Sequence, residues 1–304
     1  MISRGLHDAL AEALGDRVRF GFPMSRCTSL RVGGPADALA TPLDRDELAR
    51  VLALCSEHRV PHRALGSGFN TLVLDGGVDG VVIQMGSLRR IEERPGGAVR
   101  AEAGVSHNQV LKFCLARGLS GLEYGAGIPG TVGGWVAMNA GVPERETGDA
   151  VREIEVMSPT GRRRHLPRER LRFVYRGLRG LAPGSVVVSA LLAVGLSDRE
   201  RVQAEVDRML ERRSRTQPLD VPSCGSVFVN PPGDFAGRLI EAAGLKGHRI
   251  GGAQISPVHA NFIANLGGAT AGDVLALIEE ARARVRERFG VRLEPEVRII
   301  GRKA

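Results

Sequence analysis

Apolar residues along this chain fall into helical stripes and short strand-like runs, and their alternation sets the predicted elements. Leu48, Val51, Leu52 and Cys55 recur at helical spacing. Asp44, Asp46 and Glu47 precede them, where a helix dipole favours acids, so 44–58 is predicted helical. Residues 60–65, 81–85 and 99–103 read as short strands. A helix follows at 106–117. It opens with a capping box, Ser106 and Gln109, and carries Val110, Leu111, Cys114 and Leu115 on one face. Residues 151–158 and 186–194 are further strands. Three helices come next: a charged one at 198–213, a shorter one at 235–243 stopped by Gly244, and a strong one at 271–289. Thr270 caps the last, Val274, Leu277, Ile278, Ala281 and Val285 form its stripe, and Gly290 ends it. The chain closes on VRLEPEVRII. Its alternation predicts a strand with Val297 and Ile299 on one face, Glu296 and Arg298 on the other.

Between these elements lies a segment of a different kind, YGAGIPGTVGGWVAMNAG at 124–141. Six of its eighteen residues are glycine: Gly125, Gly127, Gly130, Gly133, Gly134 and Gly141. Such a backbone can approach a ligand closely, and its successive N–H groups can form a concave anion site. The segment is apolar apart from Thr131 and Asn139, which excludes a solvated linker. Two readings stay open: a diphosphate grip, or a tight bend between packed elements. A second glycine turn, GSGFN at 66–70, lies about 60 residues earlier. Neither turn is a GxGxxG between strand and helix, and no GxxxxGK[ST] occurs, so a Rossmann site and a P-loop are both disfavoured. Together the turns can grip the two phosphates of a dinucleotide.

Composition narrows the class further. At 304 residues the chain suits about two domains, and 43% apolar and 25% charged residues are ordinary for a soluble protein. No apolar run of about 18 residues exists, and the N-terminus lacks a signal-peptide core, so a cytoplasmic protein with no membrane insertion is expected. Cys27, Cys55, Cys114 and Cys224 are scattered, which indicates reduced thiols with neither a zinc site nor a disulfide framework. No metal is expected. The net charge of +8 attracts anions. The richest clusters, Arg162 to Arg164 and Arg212 to Arg215, have no aromatic neighbours for base stacking. They read as solvated faces rather than a nucleic-acid surface.

Taken singly, the polar residues say little. Ser226 in SCGSVFVNP is not in a GxSxG elbow, and a Ser beside a Gly is ordinarily a turn residue. Arg176 after Tyr175 and Glu296 in LEPEV are unremarkable alone. His259 lies inside a motif-like stretch.

The ordered combination is specific. TSLRVGGPAD (28–37), LGSGFNTLVLDGGVDGVVI (65–83), GLSGLEYGAGIPGTVGGWVAMNAG (118–141), SCGSVFVNP (223–231), GLKGHRIGGAQISPVHANFIAN (244–265) and LEPEVRIIG (293–301) closely resemble the UDP-N-acetylenolpyruvoylglucosamine reductases. The resemblance runs from about residue 20 to residue 301. It implies an α+β chain: a vanillyl-alcohol-oxidase-type (PCMH-type) FAD-binding domain over 1–197, in two lobes split near 66, and a smaller α+β substrate domain over 198–304. It implies non-covalent FAD, NADPH as hydride donor, UDP-N-acetylglucosamine enolpyruvate as substrate, and UDP-N-acetylmuramate for peptidoglycan as product. A monomer is expected.

By motif, the resemblance makes Arg176, Ser226 and Glu296 the catalytic trio. Tyr175, Asn230, Lys246 and His259 become substrate contacts. The FAD grip would comprise Gly66, Ser67, Gly68, Phe69 and Asn70, then Gly127, Ile128, Pro129, Gly130, Thr131, Gly133, Gly134, Asn139 and Gly141. The chain departs from the family pattern in places. Gly177, Leu178 and Arg179 follow Arg176, VPERETG follows the MNAG sequence, and only Tyr124 and Tyr175 exist. It therefore resembles the subgroup without a Tyr-bearing substrate loop.

Overall fold

The computed structural model describes residues 2–304. Contacts divide it into two compact units that interleave along the chain. The first takes the chain up to residue 20, then 38–67 and 80–213. The second takes 21–37, 68–79 and 214–304. A single cut after 197 does not describe this division, and hydrogen bonding gives the reason. Strand Thr71–Val73 pairs in parallel with Arg298–Ile300. Asp75 accepts from the amides of Ala271 and Gly272, each at 2.9 Å, at the start of helix Ala271–Phe289. A carboxylate there satisfies two orphan donors and complements the helix dipole. Segment 68–79 is thereby committed to the second unit.

The first unit has two cores. One lies under helices Arg4–Leu14 and Arg45–Glu57 and joins Leu6, Leu10, Leu48, Val51, Leu52 and Cys55 to Val81 and Ile83. Its sheet runs in the order Val18–Pro23, Pro35–Ala40, Val78–Gln84, His62–Leu65. The other core surrounds Trp135 beneath a five-stranded antiparallel sheet. The order there is Arg163–Pro167, Val151–Met157, Val186–Ala193, Ala98–Glu102, Ile91–Arg94. Arg45 links the lobes: its guanidinium lies 2.9 Å from Glu102 and 3.2 Å from Glu155, both buried carboxylates.

The second unit is an antiparallel sheet, ordered Ser223–Ser226, Phe262–Asn265, Ala253–Ile255, Arg249–Ile250. Helices Ala236–Ala242 and Ala271–Phe289 share its core with Leu72, Phe228 and Leu293.

Elements predicted from strong stripes are present. Asp44 caps Arg45–Glu57 through the amides of Asp46 and Glu47. Ser106 and Gln109 form their box, and Thr270 and Gly290 bound the long helix. Helix Arg4–Leu14 is additional: Leu6, Leu10 and Leu14 form a buried stripe among charges, and Ser3 caps it. The closing strand is shorter than expected, only Arg298–Ile300, and its alternation fails: Val297 is buried but Ile299 is 39% exposed. Residues 294–297 spend their main chain on the segment after Ser226, so only three residues are left to pair with Thr71–Val73. Among the described residues, no helix is long and apolar enough to cross a membrane.

Candidate active site

The glycines of 124–141 divide by what a side chain would meet. A Cβ at Gly125 would strike the Trp135 ring, at Gly133 the Ala103 methyl (2.8 Å), and at Gly141 the Arg145 carbonyl. These three are small so that the protein can pack on itself. Gly130, at φ 121, and Gly134 are less crowded: an added Cβ would meet only side-chain atoms, the nearest 3.4 and 3.9 Å away. The amides of Gly130, Thr131 and Gly134 have no backbone acceptor among the described residues. Pro129 holds the turn through its carbonyl, which accepts from the Trp135 indole at 3.3 Å, and Ile128 packs against the same core.

Thr131 ties this segment to the other glycine turn. Its hydroxyl is buried and has no hydrogen-bond partner among the described residues. It precedes helix Val132–Met138 without capping it. A Cβ on Gly66 would stand 2.5 Å from that hydroxyl. Gly66 therefore approaches an orphaned buried donor beside three uncommitted amides, the arrangement a diphosphate requires. The residues present fit FAD by this test.

The rest of GSGFN is built differently. Ser67 and Phe69 are exposed. The Gly68 carbonyl accepts from the Ser29 amide at 3.1 Å, and a Cβ at Gly68 would strike the Cys27 carbonyl. Asn70 takes the left-handed conformation at φ 54. Its amide donates to the Cys224 carbonyl and its side chain to the Glu296 carbonyl, both at 3.2 Å. Asn70 thus ties the two segments that carry Ser226 and Glu296.

Arg176 occupies the tip of the hairpin formed by Arg172–Val174 and Gly177–Arg179, where Val174 faces Gly177. Its φ of 57 is a conformation that glycine or asparagine normally supplies. Its guanidinium lies 3.3 Å from the Glu146 carboxylate. Asn139 donates to Glu146 at 2.6 Å and to the Val174 carbonyl at 3.1 Å, and accepts from the Gly148 amide at 2.8 Å. This asparagine, expected on the cofactor, spends its side chain on the protein. Burial raises the Glu146 pKa, against the pull of Arg176 and Asn139. Tyr175 is exposed, its ring 4.6 Å from the Arg176 guanidinium.

One arginine departs from its expected place. Arg212 and Arg215 are exposed, as a solvated face requires, but Arg213 is half-buried against Gly127, its Cδ 2.6 Å from where a Cβ would stand. Burial and the charges of Arg212 and Arg176 lower its pKa. The signal was present: 213 continues the buried stripe of Val202, Val206 and Met209.

In the second unit a bulge separates two neighbours. Ser223 pairs with Ala264 and Ser226 with Phe262, leaving one extra residue on the Ser223–Ser226 strand, where Gly225 has φ 79. In an ideally extended strand Cys224 and Ser226 share a side. Here Cys224 enters the core while Ser226 stays half-buried. Burial pushes the Cys224 thiol up to about 12, and the Glu296 charge adds to the effect. The Val227 carbonyl accepts from the Glu296 amide at 2.8 Å, and Phe228 bridges Pro295. Asn261, which sequence reasoning missed, brackets Phe228: it accepts from its amide at 2.9 Å and donates to its carbonyl at 2.8 Å.

The remaining expected contacts lie in the same unit. The Asn230 side chain accepts from the Ala236 amide at 3.0 Å. Lys246 is exposed and pairs with Glu241 at 3.0 Å. His259 is half-buried, and burial lowers its pKa. Its Nδ1 accepts from the Asn261 amide at 3.2 Å.

An FAD binding domain model matches residues 36–167, over the lobes that carry the glycine cradle. The fold and cradle define an FAD-dependent oxidoreductase. The C-terminal domain model of UDP-N-acetylenolpyruvoylglucosamine reductase matches residues 217–300. The reductase of Anaeromyxobacter sp. strain K is 48% identical over 92% of this chain and 84% of that protein. UDP-N-acetylenolpyruvoylglucosamine reductase 2 of Symbiobacterium thermophilum is 46% identical over 94% and 92%. The solved structure of the reductase from Thermus caldophilus superposes with a TM-score of 0.80 at 38% identity, covering 92% of this chain and 97% of that one. The chain belongs to the UDP-N-acetylenolpyruvoylglucosamine reductase family.

Proposed function

We propose that this chain uses NADPH to reduce UDP-N-acetylglucosamine enolpyruvate to UDP-N-acetylmuramate, a step of peptidoglycan precursor synthesis. Bound FAD supplies a hydride relay from NADPH to the terminal carbon of the enolpyruvyl double bond. Gly66, Gly130, Thr131 and Gly134 hold its diphosphate. As the double bond is reduced, its electron pair moves toward the carboxylate, and Arg176 stabilises the developing negative charge. Glu296 is the hydrogen-bonding partner of the same carboxylate. Ser226 then gives its proton to the carbon bearing the carboxylate, and solvent reprotonates the serine. A hydroxyl is a weak acid, but an enolate is a strong enough base to take its proton. Tyr175, Asn230, Lys246 and His259 serve the substrate.

The observation that carries this reading is the corner around Val227. One carbonyl fixes the Glu296 backbone beside the residue after Ser226, and the bulge leaves the hydroxyl, not the thiol, outside the core. The test is anaerobic. NADPH should bleach the flavin of the purified protein, and the enolpyruvyl substrate should restore its colour. Bleaching without recovery, with UDP-N-acetylglucosamine as the control, would exclude this substrate.

A further inference from the structure

Glu146 was not among the residues the motifs single out, yet three contacts converge on its carboxylate. One oxygen faces the Arg176 guanidinium at 3.3 Å, and the other accepts from Asn139 at 2.6 Å. The carboxylate also accepts from the Asp149 backbone at the start of the short turn Thr147–Ala150. The side chains of Arg176 and Glu146 are only 20% and 27% exposed. Asn139 is itself immobile: it is 3% exposed, and it grips the Val174 carbonyl just before the hairpin tip and the Gly148 amide just after Glu146. Arg168 braces the same loop by donating to the Gly148 and Leu171 carbonyls at 2.9 and 3.1 Å.

A guanidinium on a strained two-residue tip needs an external restraint to hold one rotamer, and a carboxylate locked from behind provides it. We propose that Glu146 is a positioning residue: locked by Asn139, it aims the Arg176 guanidinium for the reduction of the enolpyruvyl group. The inference rests on the role given to Arg176 above. It deepens that role, because a long side chain keeps one aim only while its neighbours hold it.

The discriminating variant is Glu146→Gln. Glutamine keeps an acceptor for Asn139 and the Asp149 amide but presents an uncharged group to Arg176. Losing a charge-assisted contact of this kind should slow flavin reoxidation by the enolpyruvyl substrate on the order of 10–100-fold. Flavin reduction by NADPH, FAD content and thermal midpoint should stay near parental values. In an Arg176→Ala background the same change should cost less than about twofold, because the residue it aims is gone. A mere turn cap predicts otherwise: a lowered midpoint, and equal losses in both backgrounds and both half-reactions. That result, or parental reoxidation in Glu146→Gln, overturns the proposal. If Arg176→Ala itself reoxidises at the parental rate, the role of Arg176 fails instead. Should the glutamine variant lose FAD, Glu146→Asp takes its place. It keeps charge and shortens reach, and must show the same split between half-reactions.

Discussion

In the first unit, Arg176 is held by side chains: a carboxylate, an amide and a second arginine drawn from segments between residues 139 and 176. Its own backbone is strained. In the second unit, Ser226 and Glu296 are held by main chain: a bulged strand, the Val227 carbonyl and a parallel pairing one residue beyond Val297. The two constructions suit different demands. A long cation that must meet developing charge can be aimed by neighbours without disturbing the fold. A short hydroxyl has no reach, so only backbone geometry can place it. Substitutions near Arg176 should therefore alter chemistry and spare stability, whereas substitutions behind Ser226 should cost both.

The largest effect falls on Ser226 itself. Ser226→Ala removes the proton source and leaves the hydride source intact. NADPH should bleach the flavin at close to the parental rate, while turnover of the enolpyruvyl substrate falls by about 10²–10⁴-fold, the usual worth of general acid catalysis. Cys224→Ala should cost far less, because the thiol lies in the core with its pKa driven up. Rapid turnover by the serine variant, with the cysteine variant crippled, would move the role to the thiol. It would also break the argument that the bulge selects between them.

How much of this was legible in the sequence follows from the kind of force at each place. Helix Ala271–Phe289 was readable because its stripe and both caps are local signals. The bulge was not: Gly225 permits it, but only pairing with Phe262 and Ala264 shows which side chain enters the core. The closing segment was misread as a full strand because its alternation is local while its main-chain partners, Val227 and Val229, are about 70 residues away. The glycine segment was correctly unusual, yet its glycines do two jobs. Gly125 and Gly133 make room for Trp135 and Ala103, while Gly130 and Gly134 are less crowded and leave their amides uncommitted. Composition cannot tell these apart. The motifs named Arg176. Glu146 and Asn261 act on the backbone or through another residue, so their types alone assign no role, even though Asn261 lies within the 244–265 motif.

The second prediction strikes the backbone scaffold directly. Asn261 supplies a donor and an acceptor to Phe228 in a buried site, imitating a paired strand. Asn261→Ala leaves both groups of Phe228 unpaired, at about 1–3 kcal/mol each, so a loss of roughly 2–6 kcal/mol is expected. Urea denaturation of the FAD-free protein measures it. Asn261→Asp keeps the acceptor but turns a carboxylate oxygen toward the Phe228 carbonyl and buries a charge, so it should lose at least as much. If Asn261→Ala were as stable as the parent, the contrast between a scaffolded Ser226 and an aimed Arg176 would collapse. If it were destabilised and its surviving folded fraction were also slow in reoxidation, the contrast would sharpen.

The smallest effect tests whether a side chain in the first unit is also placed for a ligand at the expense of the fold. The Thr131 hydroxyl is buried and unpaired, which costs the FAD-free protein about 1–3 kcal/mol. Thr131→Val keeps shape and branching and removes that cost, so the apoprotein should melt at a higher temperature than the parent. FAD binding should move the other way. One lost hydrogen bond to a charged phosphate is worth about 1.5–3 kcal/mol, so affinity should fall on the order of tenfold or more. The stabilisation that a fixed excess of FAD confers should shrink by the same amount. The two readings have opposite signs, which removes the ambiguity of a damaged fold. A hydroxyl with a purely structural role would lower the apoprotein midpoint on removal. A hydroxyl remote from the cofactor would leave FAD affinity unchanged. Only a donor kept unpaired for the diphosphate raises the first and lowers the second.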